Sequence, residues 1–391
     1  MPHRTPLAWL NLKHDLRRLA VAVAGICFAV LLMFMETGFM FALFDSTVKL
    51  VDDADADLVL VSPARYVLPA EKRFARARLD QARSVPGVEA AYAVYIERSL
   101  ATLKPLPHGV PQPVRVIGTD QASEAFEFDI AGGEERLVDP QTAFIDRKSK
   151  RRMFGFALAP LAEGEAVEAE LSGSRVRIVG TFSLGTDFAN DGTLLMSATN
   201  LARYFPLRNP AGEPLERVDL GLLSLAEDAD RQSVASELRA ILSDAVQVLT
   251  KDEYRDQEIE FWRANTPIGM VFQVGTWMGF VVGVIICYQV LYTDVSDHLK
   301  EYATLKAIGY SGPYFLRVVI TEAAILSVLG FIPGIVLSGM LYTWLDASTG
   351  LLMNMTVGRA LLVFTLTLTM CVLSGVLALR KLLTADPATL F

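Results

Sequence analysis

Four long apolar runs punctuate this chain, one before residue 45 and three after residue 266, and residues 45–266 between them are polar. A helix that crosses a bilayer needs about 20 mostly apolar residues. Leu19–Phe44, Pro267–Tyr292, Leu316–Leu345 and Ala360–Leu379 each supply them. With 52% hydrophobic residues overall, an ordinary soluble domain is excluded. The first run is longer than the roughly 7–15 apolar residues of a signal-peptide core and no A-x-A site follows it, so it reads as a retained anchor.

Basic residues fix the expected orientation, since Lys and Arg concentrate on the cytoplasmic side of short loops. Lys13, Arg17 and Arg18 precede the first run, Lys300, Lys306 and Arg317 lie between the second and third, and Arg380 and Lys381 follow the fourth. All three sites agree with both termini in the cytoplasm and residues 45–266 outside it. The acidic charge sits in that exported part. Asp45–Arg263 holds 36 acidic against 26 basic residues, a balance of −10, and the remainder of the chain carries +2. Without a basic stripe outside the cytoplasmic edges, no nucleic-acid partner is expected.

Cys27, Cys287 and Cys371 all fall in the apolar runs, and His3, His14, His108 and His298 are scattered. No metal site and no disulfide framework follow from such spacing, so the exported domain must fold on its apolar core, for which its length suffices.

The fold expected is therefore four transmembrane helices, one plus three, with a large extracytoplasmic α/β domain. Within it, Asp57–Val61, Val88–Glu97, Val114–Gly118, Val218–Leu225 and Ala245–Leu249 read as strands, and Glu71–Arg83 and Asp230–Ser243 as helices. These belong to an α/β part made of about 45–118 and 215–266. Between them, about 119–214 is richer in short strands: Thr142–Ile145, Ala166–Leu171, Arg175–Phe182 and Thr193–Met196. The Ser172-Gly173-Ser174 turn inside an alternating stretch predicts a hairpin there. This middle section reads as a β-rich inserted subdomain. The charged segment from Thr250 to Ala264 predicts a helix, either a solvated connector or a stalk leading to the second span.

Catalytic patterns are missing. The sequence has no G-x-x-x-x-G-K-[ST] phosphate loop, no G-x-S-x-G and no H-E-x-x-H, and the many carboxylates of the exported domain are unpatterned, as on a solvated face. The chain reads as no enzyme. After the second span, about residues 297–310 form a candidate short amphipathic helix, with Tyr302, Leu305 and Ile308 on one stripe, polar Glu301, Thr304 and Lys306 around it, and Gly309 then Tyr310 at its exit. That pattern fits an interfacial anchor and equally a helix docked in a cytoplasmic partner.

Glu301–Tyr310 (EYATLKAIGY) resembles the signature of the FtsX-like/MacB-type ABC permease family, and so do Thr321–Gly330 and Arg380–Ala388. Pro6–Arg18 and Ala56–Val61 are similar to the DevC branch, whose permeases serve glycolipid-type exporters. The resemblance implies a permease in the bacterial inner membrane that works as a homodimer with a separate cytoplasmic ABC ATPase, a DevB-like periplasmic membrane-fusion adaptor and a TolC-like outer-membrane channel. ATP and Mg would be bound by the ATPase, because only about 18 residues precede the first span here, whereas MacB carries its ATPase in the same chain. It also implies that Glu301, Tyr302, Thr304, Leu305, Lys306, Ile308, Gly309 and Tyr310 couple the permease to that ATPase, moving the exported domain to expel a lipid, glycolipid or other periplasmic cargo. Two relatives of the same topology leave alternatives: FtsX, a signal transducer to cell-wall hydrolases, and the lipoprotein-releasing Lol permeases.

Two carboxylates lie within the spans. Intramembrane ionisable groups are functional candidates by default. Glu322 is close enough to the start of the third span to snorkel, and Glu36 is deeper, with a packing role or a part in dimer contacts both open. Gly330, Gly334, Ser338 and Gly339 read as a close-packing stripe of the third span.

Overall fold

The computed structural model describes residues 15–187, 189–297, 304, 308–310 and 312–383. Its α-helices in chain order are α1 (Leu16–Asp52), α2 (Arg76–Arg83), α3 (Ala122–Ala125), α4 (Arg151–Ala162), α5 (Ala198–Tyr204), α6 (Arg231–Leu242), α7 (Lys251–Ala264), α8 (Pro267–Asp297), α9 (Gly312–Thr349) and α10 (Val357–Leu383). Helices α1, α8, α9 and α10 are each long and apolar enough to cross a membrane. The chain divides into two compact units. One takes residues up to Phe41, Pro267–Trp344 and residues from Met353 onward, and the other takes Ala42–Thr266 with Leu345–Leu352.

Glycines bring the backbones of the helical unit close together. Gly275, Gly279 and Gly283 recur every four residues along α8, so they form one ridge; Cβ atoms built on the first two would meet Glu36 and Met33 of α1, and one on Gly283 would meet Met370 of α10 first and then Ala29 of α1. On α9, Gly330 and Gly334 face Ile26 and Val30 of α1 in the same way, whereas a Cβ on Gly339 would meet nothing within 4 Å. Ser374 of α10 donates to the Val284 carbonyl of α8 at 2.9 Å. Lipid supplies no hydrophobic drive between such helices, so contacts of this closeness hold them.

The second unit is built on one mixed sheet. Its strands in chain order are β1 (Leu58–Val61), β2 (Phe74–Ala75), β3 (Val88–Glu97), β4 (Thr102–Pro105), β5 (Gln112–Pro113), β6 (Arg115–Gly118), β7 (Thr142–Asp146), β8 (Val167–Leu171), β9 (Ser174–Phe182), β10 (Thr193–Met196), β11 (Arg217–Val218), β12 (Leu220–Leu225) and β13 (Gln247–Thr250). Eleven of them pair in the order β13-β1-β12-β3-β6-β10-β7-β9-β8-β4-β5, while β2 and β11 form a separate pair. Pairing is antiparallel except for β10 with β6 and β7 with β9. Strands from residues 142–196 thus extend the same sheet that the flanking segments begin.

Uniformly apolar strands such as LVLV at 58–61 mark a sheet buried on both faces, and alternate residues indeed enter different cores. Leu58 and Leu60 join one core with Tyr95, Ala143 and Ile145, under α2, α4, α5 and α6. Val59 and Val61 join the other with Val94, Ile96 and Phe144, beneath Leu50 and Val51 at the end of α1, the Phe126–Phe128 segment and Tyr254. Hairpin β8–β9 turns on Ser172 (φ 48°) and Gly173 (φ 87°), both left-handed as a two-residue hairpin loop requires.

Candidate functional site

The stretch 301–310, expected from its resemblance to couple to an ATPase, falls partly within the described residues. Thr304, Ile308, Gly309 and Tyr310 are described; Glu301, Tyr302, Leu305 and Lys306 lie outside the described residues. The Ile308 N–H donates to the Thr304 carbonyl at 3.1 Å, one helical turn back. Gly309 then takes φ +108°, a value that L side chains avoid, and closes the turn. Ile308 remains 72% exposed and Tyr310 44% exposed. Tyr310 leans on Tyr314 of α9 with ring centroids 4.7 Å apart. Ile308 thus stands exposed directly before a left-handed glycine.

Glu36 is half-buried and faces Gly275: a Cβ at that glycine would stand 2.4 Å from the Glu36 Cδ. Beside it, the Thr37 hydroxyl donates to the Met33 carbonyl at 2.6 Å, Tyr342 of α9 donates its hydroxyl to the Phe34 carbonyl, and Gly38 leaves room for the Tyr342 ring. Phe39 and Phe272 stack at 6.0 Å. Glu322 is fully buried in α9. Helix α9 begins at Gly312, several residues before the start read from hydropathy, so Glu322 stands nearly three turns inside the helix.

The second unit contains polar sites that the sequence did not announce. Asp219 is fully buried and accepts from Arg65 at 2.6 Å, Arg208 at 2.5 Å, Arg73 at 3.3 Å and the Ile96 N–H at 2.9 Å. Glu97 pairs with Arg73 at 3.1 Å, and its carboxyl is pushed up by burial and by neighbouring Glu71. On α7, Glu258 accepts from the Leu68 N–H at 2.8 Å and from Trp262 Nε1 at 3.0 Å. Burial pushes its carboxyl from the ordinary 4.5 to about 7 against the pull of those donors and of Arg65. The solvated-face reading of these carboxylates is corrected on this point, and α7, read from its charge as either a solvated connector or a stalk, has a buried stripe, Tyr254 and Glu258. No sequence pattern marks Asp219, because its three arginines come from residues 65 to 208.

A cleft of about 370 Å³ opens nearby, walled by Pro69, Glu71, Arg98, Ala189, Asn190 and Asp191. Arg98 crosses it, donating to Asn190 Oδ1 at 2.8 Å and to the Ala189 carbonyl at 3.1 Å. Among the described residues, no cluster of His, Cys, Asp and Glu has a metal-binding arrangement.

Residues 274–387 match the model of the FtsX-like permease C-terminal domain. This part of the chain is similar to the C-terminal domain of FtsX-like permeases. The match begins at Val274, one residue before the glycine ridge of α8, and takes in residues 301–310, α9 and α10. No curated protein matches the chain. Among solved structures, the chain is similar to the periplasmic region of MacB from Actinobacillus actinomycetemcomitans at 9% identity, over 52% of this chain and 92% of that one, with a TM-score of 0.37. It is similar also to the extracellular domain of the ABC-type transporter YknZ from Gram-positive bacteria, at 13% identity over 50% of this chain and 100% of that one, TM-score 0.35. A domain of a putative permease from Porphyromonas gingivalis matches at 15% identity over 50% and 87%, TM-score 0.33. The match thus covers the last three of the four long apolar helices, and the sheet domain lies between the first and the second.

Proposed function

We propose that the chain is the permease subunit of a tripartite ABC exporter of the DevC/MacB type. The observation that carries this reading is the similarity of residues 274–387 to the C-terminal domain of FtsX-like permeases, with an exposed Ile308 and a left-handed Gly309 in the stretch 301–310. In this reading a homodimer takes up motion from a separate ATPase through residues 301–310, with ATP and Mg bound on the ATPase. The extracytoplasmic sheet domain then works on a lipid, glycolipid or other periplasmic cargo, together with an adaptor and an outer-membrane channel. Helix α1 suits such a lever: its 37 residues reach about 55 Å at 1.5 Å per residue, beyond the roughly 30 Å of hydrocarbon. The placement of basic residues supports cytoplasmic termini in the bacterial inner membrane. A single cysteine at exposed Ser174 is then labelled by a membrane-impermeant thiol reagent from the periplasmic side, and labelling only from the cytoplasmic side overturns that orientation.

Detergent extraction of the tagged chain from its native membrane, with mass spectrometry of what stays bound, tests the assembly. An ATPase recovered together with a periplasmic adaptor supports the exporter. Recovery with a cell-wall hydrolase, or with a lipoprotein carrier, moves the chain to signal transduction or lipoprotein release.

A further inference from the structure

The segment Leu345–Leu352, the last residues of α9 and the three that follow it, belongs to the compact unit of the sheet domain. Thr186 and Leu351 form a parallel bridge. The Thr186 N–H donates to the Gly350 carbonyl at 3.2 Å and its hydroxyl to the Thr349 carbonyl at 3.1 Å. Gly350 has φ +72°, and a Cβ there would fall 2.0 Å from the Lys148 carbonyl oxygen, so only glycine seats the segment this closely. Leu352 is buried, in van der Waals reach of Gly185.

The receiving surface is held from behind by one fully buried carboxylate. Asp146 accepts from the N–H groups of Lys148 at 3.0 Å, Leu184 at 3.2 Å and Gly185 at 2.7 Å, which fixes both places that the segment touches. One residue beyond Thr186 the contacts change direction. Asp187 pairs with buried Arg115 at 2.9 Å, accepts both from Asn190 Nδ2 and from the Ala189 N–H, and so shapes the Ala189–Asn190 wall of the cleft that Arg98 crosses.

We propose that Leu345–Leu352 is a strap whose seating on Thr186 sets the cleft wall through Asp187, Ala189 and Asn190. Because the strap is the end of α9 and leads on towards α10, a displacement of these spans has a covalent route to the cleft, separate from those through α1 and α7. The route needs no ligand and works in either direction, as any coupling between two sites must.

Amide hydrogen exchange on the full-length protein in detergent tests it. Gly350→Ala dislodges the strap, and Thr186→Val, of similar shape, removes only the hydroxyl bond to Thr349. For Thr186→Val the loss of one hydrogen bond predicts about a 2- to 10-fold faster exchange at Gly350 and, with it, at Asp187 and Ala189. The amides of β12 should keep their rates. Gly350→Ala gives a larger effect at the same amides. In the reverse direction Asp187→Asn speeds exchange at Gly350, whose N–H is held by the Asp346 carbonyl. Faster exchange in the strap alone, or none at Asp187 and Ala189 in either strap variant, overturns the proposal; should Gly350→Ala not fold, Thr186→Val and Asp187→Asn decide it.

Discussion

Gly275 of α8 and Glu36 of α1 share one space: the carboxyl group occupies the position where any side chain at 275 would begin, with both oxygens within 2.8 Å of it. The same ridge continues through Gly279 to Gly283, so the carboxylate lies at one end of a close helix contact rather than at an isolated position.

The two glycine contacts of α1 differ in what yields, and substitution should separate them. At Gly275 an added methyl meets the tip of a long side chain, which swings aside, so Gly275→Ala costs little. At Gly330 it meets Ile26 at Cγ2 and Cβ, 2.4 and 2.6 Å away, with the branched stem unable to retreat. Gly330→Ala is expected to destabilise by about 1–3 kcal/mol. Thermal unfolding of the two variants in detergent should order them in this way; equal midpoints would refute the packing.

Much of the sheet domain was legible because its strands carry their own pattern. The run 58–61 is wholly apolar, 142–146 and 193–196 have apolar centres (Ala143–Ile145 and Leu194–Met196), and 167–182 alternates about a left-handed turn. Helix α4 escaped because Gly155 and Pro160 depress its helix propensity and its place is fixed by Phe154 packing on Gly192. Strands β4 and β5 escaped because Pro105, Pro107, Pro111 and Pro113 crowd their hairpin. Strand order was not readable, since β6 and β10 meet across nearly 80 residues. On the site side, the glycine ridge of α8 was visible as G-x-x-x-G-x-x-x-G at 275–283 and was passed over, while the buried ions were hidden because burial is a property of the fold and not of a charged residue's type.

Glu258 predicts a specific pH dependence. Its folded carboxyl titrates near 7 and an unfolded one near 4.5, so between those values the folded state binds more protons. Stability from this group is therefore full below about pH 4.5, falls as pH rises towards 7, and is flat above. The difference is on the order of 3 kcal/mol, from 1.36 kcal/mol per pH unit. Glu258→Gln cannot ionise, and the difference between wild-type and variant stability should show this slope between pH 5 and 7. A difference independent of pH would contradict it.

Asp219 and Glu168 set the extremes for an ion pair. Asp219→Ala leaves Arg65, Arg73 and Arg208 without their shared carboxylate in a buried site, which is expected to cost 3–5 kcal/mol or more, since breaking a buried pair strands a charge. Glu168 and Arg175 are 65% and 78% exposed, 3.8 Å apart, and Glu168→Ala should fall within about 1 kcal/mol of wild type. Limited proteolysis of the purified full-length variants should show rapid cleavage of the first and none of the second.

In the proposed function the region similar to FtsX-like permeases passes work to or from an ATPase at residues 301–310, and Ile308→Asp tests this most directly. The side chain is exposed, so a carboxylate there is hydrated and leaves the fold intact, while apolar docking is lost. Permease-stimulated ATP hydrolysis, measured with the co-purified ATPase in reconstituted membranes, is predicted to drop to the level of the ATPase alone while the variant inserts normally. Undiminished stimulation in an inserted Ile308→Asp protein would contradict the account.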